Sequence, residues 1–541
     1  MSKSNDQTKP ERGSSRYPDH IMLSFSKDPH TTAAVTWRTD LSVPNGYIEF
    51  RSEKNGKLER VEAINKYIKS DIDESFVHFA VPENLTPGTK YFYSVGNEQY
   101  RSGEFSFKTE PENLTKFKFL IITDWQNAKP WAKPNYEPVR NLLMQALKEH
   151  PDCCFILSAG DNSDDGQNEA QWNGVFYGLR GIVESIPLIM CTGNHDNRGY
   201  LKYSPTPVGK FYINHADLFD QKFEYSYPRN GPSGYETENF SFDYGNAHFS
   251  VLGINAQEIT GEWLYNDLHK SDKTWKIGAY HFPIYPVMPE GVNDDSYPHL
   301  KRGIEEGRLD VLFSGHEHSF ARTFPIKDEQ LYDKPSQGTV HYIAGNAGEN
   351  IYCSNCQKVW HSAFYPQEEP IGLYAVAEID NSVMKITAYT TDGRTADEFI
   401  IDKEADIIKP FALAPVYKHT KMTYKGRMLE LEARGMYCIK KDGVWFAAFP
   451  VLVQGIGGKV IKTPEKADVT VYKRRAVFIL GSDVASTDRG DVKLSHPVFS
   501  NNGQLYVAVL DAAKIFDMHW RYAERNNFIE FNCQTEEKPL I

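Results

Sequence analysis

Five segments of this 541-residue chain place metal-binding residue types directly after short apolar runs. The runs FLIITD, CCFILSAGD, PLIMCTGNHD, WKIGAYH and LDVLFSGHEH deliver, in that order, Asp124, Asp161, Asn194 with His195 and Asp196, His281, and His316 with His318. Each segment alone is weak evidence, because a Gly-Asp pair usually marks a turn and a single histidine is more often a core residue. All five in order, each after a buried-strand pattern, favour one shared metal site.

The residue types predict hydrolytic chemistry that uses two metal ions. A carboxylate such as Asp161 can bridge two cations that lie about 3.5–4 Å apart. Imidazole and carboxylate ligands together suit Zn, Mn or Fe. Two such ions hold a phosphate group, stabilise the attacking and leaving oxygens, and lower the pKa of a bound water. The metal-bound hydroxide formed in this way can attack a phosphate ester near neutral pH without a protein nucleophile.

Alternating strands and helices must position these residues. From Lys116 to about Lys403 apolar runs alternate with helical patterns, as where KFKFLIITD is followed by EPVRNLLMQALKEH. This alternation is typical of a layered α/β domain. Ligands of such domains bind at the carboxyl ends of the strands. The five segments are therefore expected to point their polar ends toward one edge of a sheet.

The α/β region is flanked by two regions of different character. Between Asp19 and Thr109, about seven short runs rich in β-branched and aromatic residues are separated by turn signals, which predicts a β-sandwich. The predicted segments are a disordered tail at 1–17, the sandwich at 18–110, the catalytic domain at 113–402, a linker at 403–420, a repeat module at 421–533 and a tail at 534–541.

The C-terminal module contains an internal repeat. The segment KDGVWFAAF, which starts at Lys441, matches NNGQLYVAV, which starts at Asn501, and the match continues at one constant offset without gaps. The matched pairs are Gly443 with Gly503, Phe446 with Tyr506, Val469 with Ile529 and Val471 with Phe531. Each copy is predicted to form a turn, a strand, a short helix and a strand. Repetition at a fixed period indicates two similar units that pack together.

Charge and hydropathy restrict the partners of the protein. The formal net charge of −12 argues against a general nucleic-acid-binding surface, which would be basic. A small phosphorylated substrate is compatible with this charge, because bound cations would dominate the field at a metal site. No apolar run is long enough to be a transmembrane segment, and the polar start MSKSNDQTKPERGSSRYPDH lacks the apolar part of a secretory signal. A cytoplasmic location is therefore expected.

The five motifs resemble those of the calcineurin-like metallophosphoesterase family, whose pattern is an Asp motif, GD, GNH with an acidic residue, a single His and GHxH. The N-terminal region resembles the fibronectin type III-like domain of purple acid phosphatases, especially in VTWRTD, LTPGTKYFYSVG and GEFSFKTE. This resemblance covers roughly residues 18–402. It implies a multidomain fold in which an all-β sandwich precedes a four-layer α/β/β/α catalytic domain, and an α+β repeat module follows.

The resemblance also implies roles for individual residues. The residues expected to hold one metal ion are Asp124, Gln126, Asp161 and His318. The residues expected to hold the other are Asp161, which bridges the two ions, Asn194, His281 and His316. His195 is expected to contact phosphate and donate a proton, with Asp196 orienting it. Three residues near the motifs are expected to contact substrate, namely Asn127, Asn162 and Tyr285.

Two positions depart from the family pattern. Purple acid phosphatases carry GDxxY, whose tyrosine binds iron and gives the colour, whereas GDNSD places Asp164 at that position here. Other family members carry DxH in the first motif, whereas Gln126, a neutral and weaker ligand, stands at the histidine position. The first metal site is therefore expected to bind its ion less tightly, or to recruit Asp164 or water. No tyrosinate-to-iron absorption band is expected.

The C-terminal repeats resemble the module named after the N-terminal domain of copper amine oxidases, which recurs in bacterial surface proteins. The repeats lack a histidine cluster, so a copper site does not follow, and a cell-surface or protein contact is the expected role. This resemblance favours the alternative location, which is extracellular or at the cell surface.

The expected function is hydrolysis of phosphomonoesters or phosphodiesters. One alternative is a weakly active or inactive phosphoesterase scaffold that acts as a binding or adhesion protein. Gln126 and Asp164 keep this alternative open, while the retention of the other motif residues argues against it. A general nuclease conflicts with the acidic charge and with the lack of an evident basic groove.

Overall fold

The computed structural model describes twelve stretches of the chain, namely 13–54, 56–126, 133–198, 216–288, 292–350, 358, 360–365, 370–410, 420–424, 427–429, 437–523 and 528–531. The chain divides into two compact units. The first contains residues 1–286, 291–353 and 365–411, and the second contains residues 287–290, 354–364 and 412–541. None of the helices in the described stretches is long and apolar enough to cross a lipid bilayer.

The N-terminal region is a β-sandwich of eight strands. They are β1 (Asp19–Ser24), β2 (Ala34–Asp40), β3 (Tyr47–Ser52), β4 (Glu59–Glu62), β5 (Ile64–Lys69), β6 (Glu74–Ala80), β7 (Lys90–Gly96) and β8 (Phe105–Lys108). One sheet has the order β1-β2-β6-β5 and the other has the order β4-β3-β7-β8. Alternate side chains of both sheets, such as those of Val35, Trp37, Phe50 and Tyr93, form one buried core. The predicted sandwich is confirmed, and its likeness to a fibronectin type III domain stays a prediction.

The prediction of a disordered tail at 1–17 is wrong for its last residues. The backbone N–H of Ser14 donates to Asp73 at 2.6 Å, and the carbonyl of Ser15 accepts from the backbone N–H of Asp40 at 2.8 Å. The ring of Tyr17 also packs edge-on against Tyr100. These hydrogen bonds attach the segment to the edge of the sandwich. Residues 1–12 and the predicted tail at 534–541 lie outside the described stretches.

Residues 116–410 contain fifteen strands and six α-helices in the described stretches. The strands are β9 (Lys116–Ile122), β10 (Cys153–Ser158), β11 (Leu188–Met190), β12 (Phe240–Tyr244), β13 (Ala247–Leu252), β14 (Trp275–Tyr280), β15 (Val311–Ser314), β16 (Phe320–Lys327), β17 (Gln330–Leu331), β18 (Thr339–Ala344), β19 (His361–Tyr365), β20 (Leu373–Asp380), β21 (Val383–Thr390), β22 (Thr395–Asp402) and β23 (Ile407–Pro410). The helices are α1 (Glu137–Glu149), α2 (Glu169–Leu179), α3 (Asn194–Asn197), α4 (Asp217–Phe223), α5 (Gln257–Lys270) and α6 (Tyr297–Lys301), with a π-helix at Arg302–Glu306 and a 3-10 helix at Pro335–Gln337.

Two sheets form the centre of the α/β domain at residues 116–410. One has the order β11-β10-β9-β20-β21-β22-β23, and the other contains the path β12-β13-β14-β15-β18-β16-β17. Aromatic rings pack the two sheets together, with Phe119 of β9 and Phe155 of β10 both edge-on to Phe249 of β13. The motif strands β9, β10 and β11 are parallel in the first sheet, and β14 and β15 are parallel in the second. Their carboxyl ends therefore meet along one paired edge, as predicted.

Helices cover the sheets because their apolar residues recur at helical spacing. Val139, Leu142, Leu143 and Ala146 are the buried residues of α1, which packs on β20, while α5 packs on β13. The exact four-layer order stays a prediction. The predicted linker at 403–420 is wrong at its start, because residues 407–410 form β23, which pairs with β22 as the last strand of the first sheet. Residues 411–419 lie outside the described stretches.

The C-terminal module is α+β. Its strands are β24 (Lys421–Tyr424), β25 (Arg427–Leu429), β26 (Ile439–Lys441), β27 (Val444–Ala447), β28 (Lys459–Lys462), β29 (Lys466–Val471), β30 (Arg474–Ile479), β31 (Val484–Thr487), β32 (Gly490–Lys493), β33 (Phe499–Asn501), β34 (Gln504–Ala508), β35 (Trp520–Ala523) and β36 (Phe528–Phe531). Its helices are α7 (Phe449–Leu452), α8 (Val509–Ile515) and a 3-10 helix at Val453–Ile456.

The internal repeat of this module is confirmed. The order β27-α7-β28-β29 in the first copy recurs as β34-α8-β35-β36 in the second. Gly443 and Gly503 both adopt positive φ, of 84° and 71°, at the matching hairpin turns. The matched apolar residues are all buried, and β27 pairs with β34 to join the two copies. The likeness to a copper amine oxidase domain stays a prediction.

Candidate metal centre

The backbone at the predicted ligands adopts a sparsely populated conformation. Asp124, Asp161, His316 and His318 have positive φ values of 49°, 54°, 73° and 43°. Residues other than glycine rarely occupy this left-handed region, and such strain concentrates at functional sites. Each of these residues lies in the turn that follows β9, β10 or β15. The sharp turn lets the side chain point across the paired edge of the two sheets.

The predicted ligands of the second metal ion lie in contact with one another. The Oδ1 atom of Asn194 lies 3.1 Å from Nε2 of His281 and 3.0 Å from Nδ1 of His316. Asp161 Oδ1 lies 3.2 Å from Nε2 of His281. Asp161, His281 and His316 can each offer one ligand atom, and these atoms all lie within 4.8 Å of one another. Three segments distant in sequence thus form one cluster of nitrogen and oxygen donors.

The predicted ligands of the first metal ion adjoin the same aspartate. His318 Nε2 lies 3.4 Å from Oδ1 of Asp124. The Gln126 amide nitrogen lies 3.3 Å from Oδ2 of Asp161 and 3.4 Å from Nε2 of His318. Oδ1 of Asp161 therefore faces the predicted ligands of the second ion, and Oδ2 faces those of the first. A bridging ligand needs this arrangement.

Hydrogen bonds behind the ligands fix which atoms face the centre. The Nδ1–H of His281 donates to the carbonyl of Ala159 at 3.0 Å, and the Nδ1–H of His318 donates to the carbonyl of Asn350 at 3.2 Å. Each bond directs Nε2 toward the cluster, which is the usual arrangement of metal-binding histidines. Oδ2 of Asp124 accepts from the backbone N–H of His316 at 2.7 Å, so Oδ1 is the oxygen that faces the cluster.

Two glycines permit the close approach of the ligand segments. A Cβ atom on Gly193 would lie 2.2 Å from Oδ1 of Asp161. A Cβ atom on Gly315 would lie 1.9 Å from Oγ1 of Thr123 and 2.4 Å from Oδ2 of Asp124. These glycines belong to the GNHD and GHEH motifs. The close approach of the ligand segments therefore requires glycine at both positions.

The donor set fits metal cations. Oδ1 of Asp124 and Oε1 of Gln126 are buried oxygens that accept no hydrogen bond from the described residues. Burial opposes charge on His281, but the negative charge of Asp161 outweighs it and raises the pKa of His281 to about 9. Burial and the charge of His281 lower the pKa of His316 to about 4, which keeps His316 in the neutral form that binds metals. Cations would satisfy both the oxygens and the neutral imidazole.

His195 lies beside the cluster with its ring held by Asp164. Its Nδ1 lies 2.9 Å from the carbonyl oxygen and 3.3 Å from Oδ1 of Asp164, while Nε2 lies 3.8 Å from Oδ2 of Asp161. The His195 side chain is 15% exposed, so the ring is not fully enclosed by the protein. Burial opposes protonation of His195, but the charges of Asp161 and Asp164 outweigh burial and raise its pKa.

The prediction that Asp196 orients His195 is wrong. The Asp196 carboxylate accepts hydrogen bonds from the backbone N–H groups of Gly193, Asn162 and Ser163, at 2.9 to 3.2 Å. It therefore joins the GDNS turn to the GNHD turn and positions the backbone of both. The carboxylate that contacts Nδ1 of His195 is Asp164, which stands at the tyrosine position of the GDxxY pattern.

The predicted substrate contacts are not supported by the described residues. Asn162 is fully buried and bonds to Ser158, Cys191 and Asp196, so it positions the turn instead of substrate. Tyr285 is 1% exposed and packs against other aromatic rings, so its expected contact with substrate is replaced by a core role. Asn127 lies outside the described stretches.

Sequence reasoning missed Arg198. Its Nε donates to Oδ1 of Asp165 at 2.9 Å, and its Nη2 lies 3.4 Å from Oδ1 of Asp164. The side chain is 22% exposed and lies beside His195. The only signal in the sequence is a basic residue three positions after the histidine of GNHD. Asp165 and Asp164 lie 33 and 34 positions before Arg198, so only the fold brings these carboxylates to the arginine.

Comparison with known proteins agrees with this architecture. Residues 18–109 match the family model for the purple acid phosphatase N-terminal domain, and residues 117–320 match the model for calcineurin-like phosphoesterase. Acid phosphatase type 7 of Mus musculus is 26% identical over 377 residues, which cover 61% of this chain and 78% of that protein. A protein of Arabidopsis thaliana named "Probable inactive purple acid phosphatase 1" is 23% identical over 372 residues, which cover 61% of this chain and only 58% of that protein.

Two solved structures share the fold. The purple acid phosphatase PPD1 from yellow lupin (Lupinus luteus) seeds has a TM-score of 0.59 and 18% identity, and the match covers 71% of this chain and 74% of that chain. PhoD has a TM-score of 0.51 and 13% identity over 74% of this chain and 94% of that chain. The chain therefore contains one region that is similar to the purple acid phosphatase N-terminal domain and a second region that is similar to calcineurin-like phosphoesterases.

Proposed function

We propose that this protein is a metal-dependent phosphoesterase that hydrolyses phosphomonoesters or phosphodiesters of small molecules. The supporting observation is the convergence of six donor residues from five segments, with the imidazoles of His281 and His318 oriented by backbone carbonyls. The donors are Asp124, Asp161, Asn194, His281, His316 and His318. Phosphoryl transfer depends mainly on positioning and on electrostatic stabilisation, which such a cluster supplies when it holds cations.

The proposed assignment divides the donor residues between two metal ions that share Asp161 as a ligand. Asp124, Gln126 and His318 would hold one ion with Asp161, and Asn194, His281 and His316 would hold the other. Two ions bound in this way would neutralise the charge of a phosphate group and lower the pKa of water at the site. Zn, Mn and Fe all suit this mixture of nitrogen and oxygen ligands.

His195 is the proposed general acid. Its Nε2 points toward the cluster and, when protonated, can donate to the oxygen of the leaving group. Asp164 holds the opposite ring nitrogen and so sets the ring plane and favours the protonated form. Asp196 acts on the backbone and keeps the two motif turns together.

Metal content measured together with turnover tests the proposal. Wild type and the His316→Ala variant would be assayed with a nitrophenyl phosphate and with a bis-nitrophenyl phosphate, after incubation with Mn, Zn or Fe. We expect close to two metal ions per chain in wild type and loss of both metal and turnover in the variant. His269→Ala, on the outer helix α5, is the matched histidine control and should behave as wild type. The better substrate would assign the ester class.

The second candidate is a phosphoesterase scaffold without significant activity. Gln126 favours it, because an amide replaces an imidazole among the ligands of the first ion. Fewer than two metal ions per wild-type chain, with no turnover of either ester, would support this candidate and reject the hydrolase. The C-terminal module would then carry the function, through the protein contact that its resemblance implies.

A further inference from the structure

A separate cavity of about 610 Å³ lies at the other edge of the second catalytic sheet. Its lining includes Lys276 near the start of β14, Asp310 just before β15 and Thr339 at the start of β18. These are the amino ends of parallel strands, two of which carry His281 and His316 just beyond their carboxyl ends. Lys276 and His281 are five residues apart on an extended strand, a separation of about 16 Å. The cavity is therefore distinct from the metal centre.

The lining of this cavity is cationic although the protein is acidic. Five cationic and three acidic residues line it, whereas the whole chain has a net charge of −12. The cationic residues are Lys273, Lys276, Arg308, Lys327 and Lys403. A positively charged cavity in a negatively charged protein raises the local concentration of anions.

The three acidic residues are already engaged by other groups. Asp310 accepts from the ammonium of Lys403 at 2.8 and 2.9 Å. Asp406 accepts from the backbone N–H of Ser336 at 3.0 Å and from its hydroxyl at 2.9 Å. Glu305 accepts from a tyrosine hydroxyl and from a backbone amide. These bonds hold the carboxylates in place, and Lys403 compensates the charge of Asp310.

Two cations of the lining have no such partner. In the part of the chain that the structure describes, no carboxylate forms an ion pair with the guanidinium of Arg308 or the ammonium of Lys327. Both side chains are exposed to the cavity region, and the lining also offers polar groups from Tyr332 and Gln337. An arginine fork and a lysine ammonium together suit a phosphate group, while hydroxyl and amide groups suit the polar part of a small molecule.

We propose that this cavity binds a small organic phosphate at a site separate from the metal centre. Its volume lies within the range of roughly 300–1,000 Å³ that is usual for small-molecule sites. Arg308 and Lys327 would bind the phosphate group. The neutralised Asp310–Lys403 pair would form the floor between them and β15.

The experiment uses phenylphosphonate, an organic dianion that a phosphoesterase does not hydrolyse. Its binding would be measured by titration calorimetry on the full-length His316→Ala protein with a chelator present, so that the metal centre does not contribute. We expect one site per chain, with affinity at least tenfold weaker in a version that also carries Arg308→Gln and Lys327→Gln. These exposed residues can be changed without disturbing the core.

The matched control carries Lys90→Gln and Lys148→Gln, which remove two exposed cations on the sandwich and on α1. This control should bind phenylphosphonate as tightly as its parent. Equal affinity in the cavity variant and the control would overturn the proposal. The same conclusion would follow from absence of binding, or from binding that is seen in metal-loaded wild type and lost in the His316→Ala protein. Thermal unfolding of each variant checks that the chain is folded.

Discussion

At the scale of single residues, Asp164 has an unexpected role. It stands at the position where purple acid phosphatases have a metal-binding tyrosine, yet its Oδ1 lies 3.3 Å from Nδ1 of His195. It is nearly fully buried, so its charge acts on His195 with little screening by water. One side chain thus stands where the resemblance predicts a tyrosine ligand and supplies a partner for the proposed general acid.

Replacement of Asp164 by Asn should therefore reduce turnover without removing metal. We expect kcat to fall about 10-fold, because His195 loses the negative charge beside Nδ1 while the backbone carbonyl of residue 164 still accepts from that nitrogen. The pH dependence of kcat should shift to lower pH on its alkaline side, because the protonated form of His195 loses a stabilising charge. Metal content decides the outcome: if it falls in step with kcat, Asp164 is a ligand and the positioning role is wrong.

The presence of aspartate instead of tyrosine at position 164 also predicts the colour of the protein. With no tyrosine at position 164, iron-loaded protein should show no tyrosinate-to-iron absorption band in the visible range. The measurement is a visible spectrum of protein reconstituted with ferric and ferrous iron. An Asp164→Tyr variant is the positive control, since it restores the family residue. A purple wild-type protein would show that a tyrosine from another segment reaches the iron.

His248 gives a prediction for stability against pH. Burial opposes its charge, but Asp243 and Asp267, at 2.7 and 2.8 Å, outweigh burial and raise the pKa of His248 to about 9. The charged form of His248 therefore stabilises the fold. This stabilisation is fully present below about pH 6.5, the pKa of histidine in an unfolded chain, and is lost as the pH rises through 9. His248→Gln should lower the free energy of unfolding by about 2 kcal/mol at pH 6 and by less at pH 9.5. The value at pH 6 is reduced for screening by solvent, because Asp243 is half-exposed.

Urea unfolding of both proteins at the two pH values checks this. His269→Gln, at the exposed end of α5, is the control and should show a small difference at either pH. A gap between wild type and His248→Gln that stays constant from pH 6 to 9.5 would mean that His248 stabilises the fold by packing alone.

At the scale of elements, the site depends on turns that follow five strands. The turns after β9, β10 and β15 bend sharply enough that the ligands themselves have positive φ. Glycines next to these ligands have no room for a side chain, because neighbouring motif turns pass within contact distance. The strands thus aim the ligands, and the glycines allow the strands to converge.

Gly315→Ala should accordingly weaken the binding of the first metal ion. The added methyl group would meet Thr123 and Asp124, so Asp124 must shift away from His318. We expect loss of about one metal ion per chain and a fall in turnover of at least tenfold. Gly103→Ala is the control, since a Cβ atom there meets nothing within 4 Å. Metal content by mass spectrometry of the native protein is the measurement, and two retained ions would contradict the role given to this contact.

At the scale of the whole first unit, the sandwich is joined to the catalytic domain by buried charges. Arg38 of β2 is 2% exposed and contacts both Asp19 of its own sheet and Glu169, the first residue of α2. Lys222 of α4 donates to the same Glu169 at 2.7 Å. A charged side chain is stable in the protein interior only when it is paired with an opposite charge. Since α2 follows the loop that carries Asp161 and Asp164, this network connects the sandwich to the metal-site loop.

Arg38→Met should destabilise this unit by about 3–5 kcal/mol, because the buried Glu169 loses one of its two cationic partners and keeps only Lys222. Arg60→Met on the exposed surface of the sandwich should change the free energy of unfolding by less than about 1 kcal/mol. Chemical denaturation of the two variants compares them directly. Equal effects would show that the Arg38 network contributes little, and that apolar contacts alone hold the sandwich in place.

The sequence by itself determined the ligand types, the strand order that delivers them and the division into sandwich, catalytic and repeat regions. These features are local: a strand ends in Asp161 or His281 because of its own apolar pattern, and the repeat follows from matched positions such as Gly443 and Gly503. The tertiary structure alone decided which carboxylate meets which ring. Asp164 and Asp196 are both acidic residues beside motif turns, and only the packing of two loops 30 residues apart sends one to His195 and the other to backbone amides. The cationic cavity likewise exists because strand starts from three segments meet, which no local pattern records.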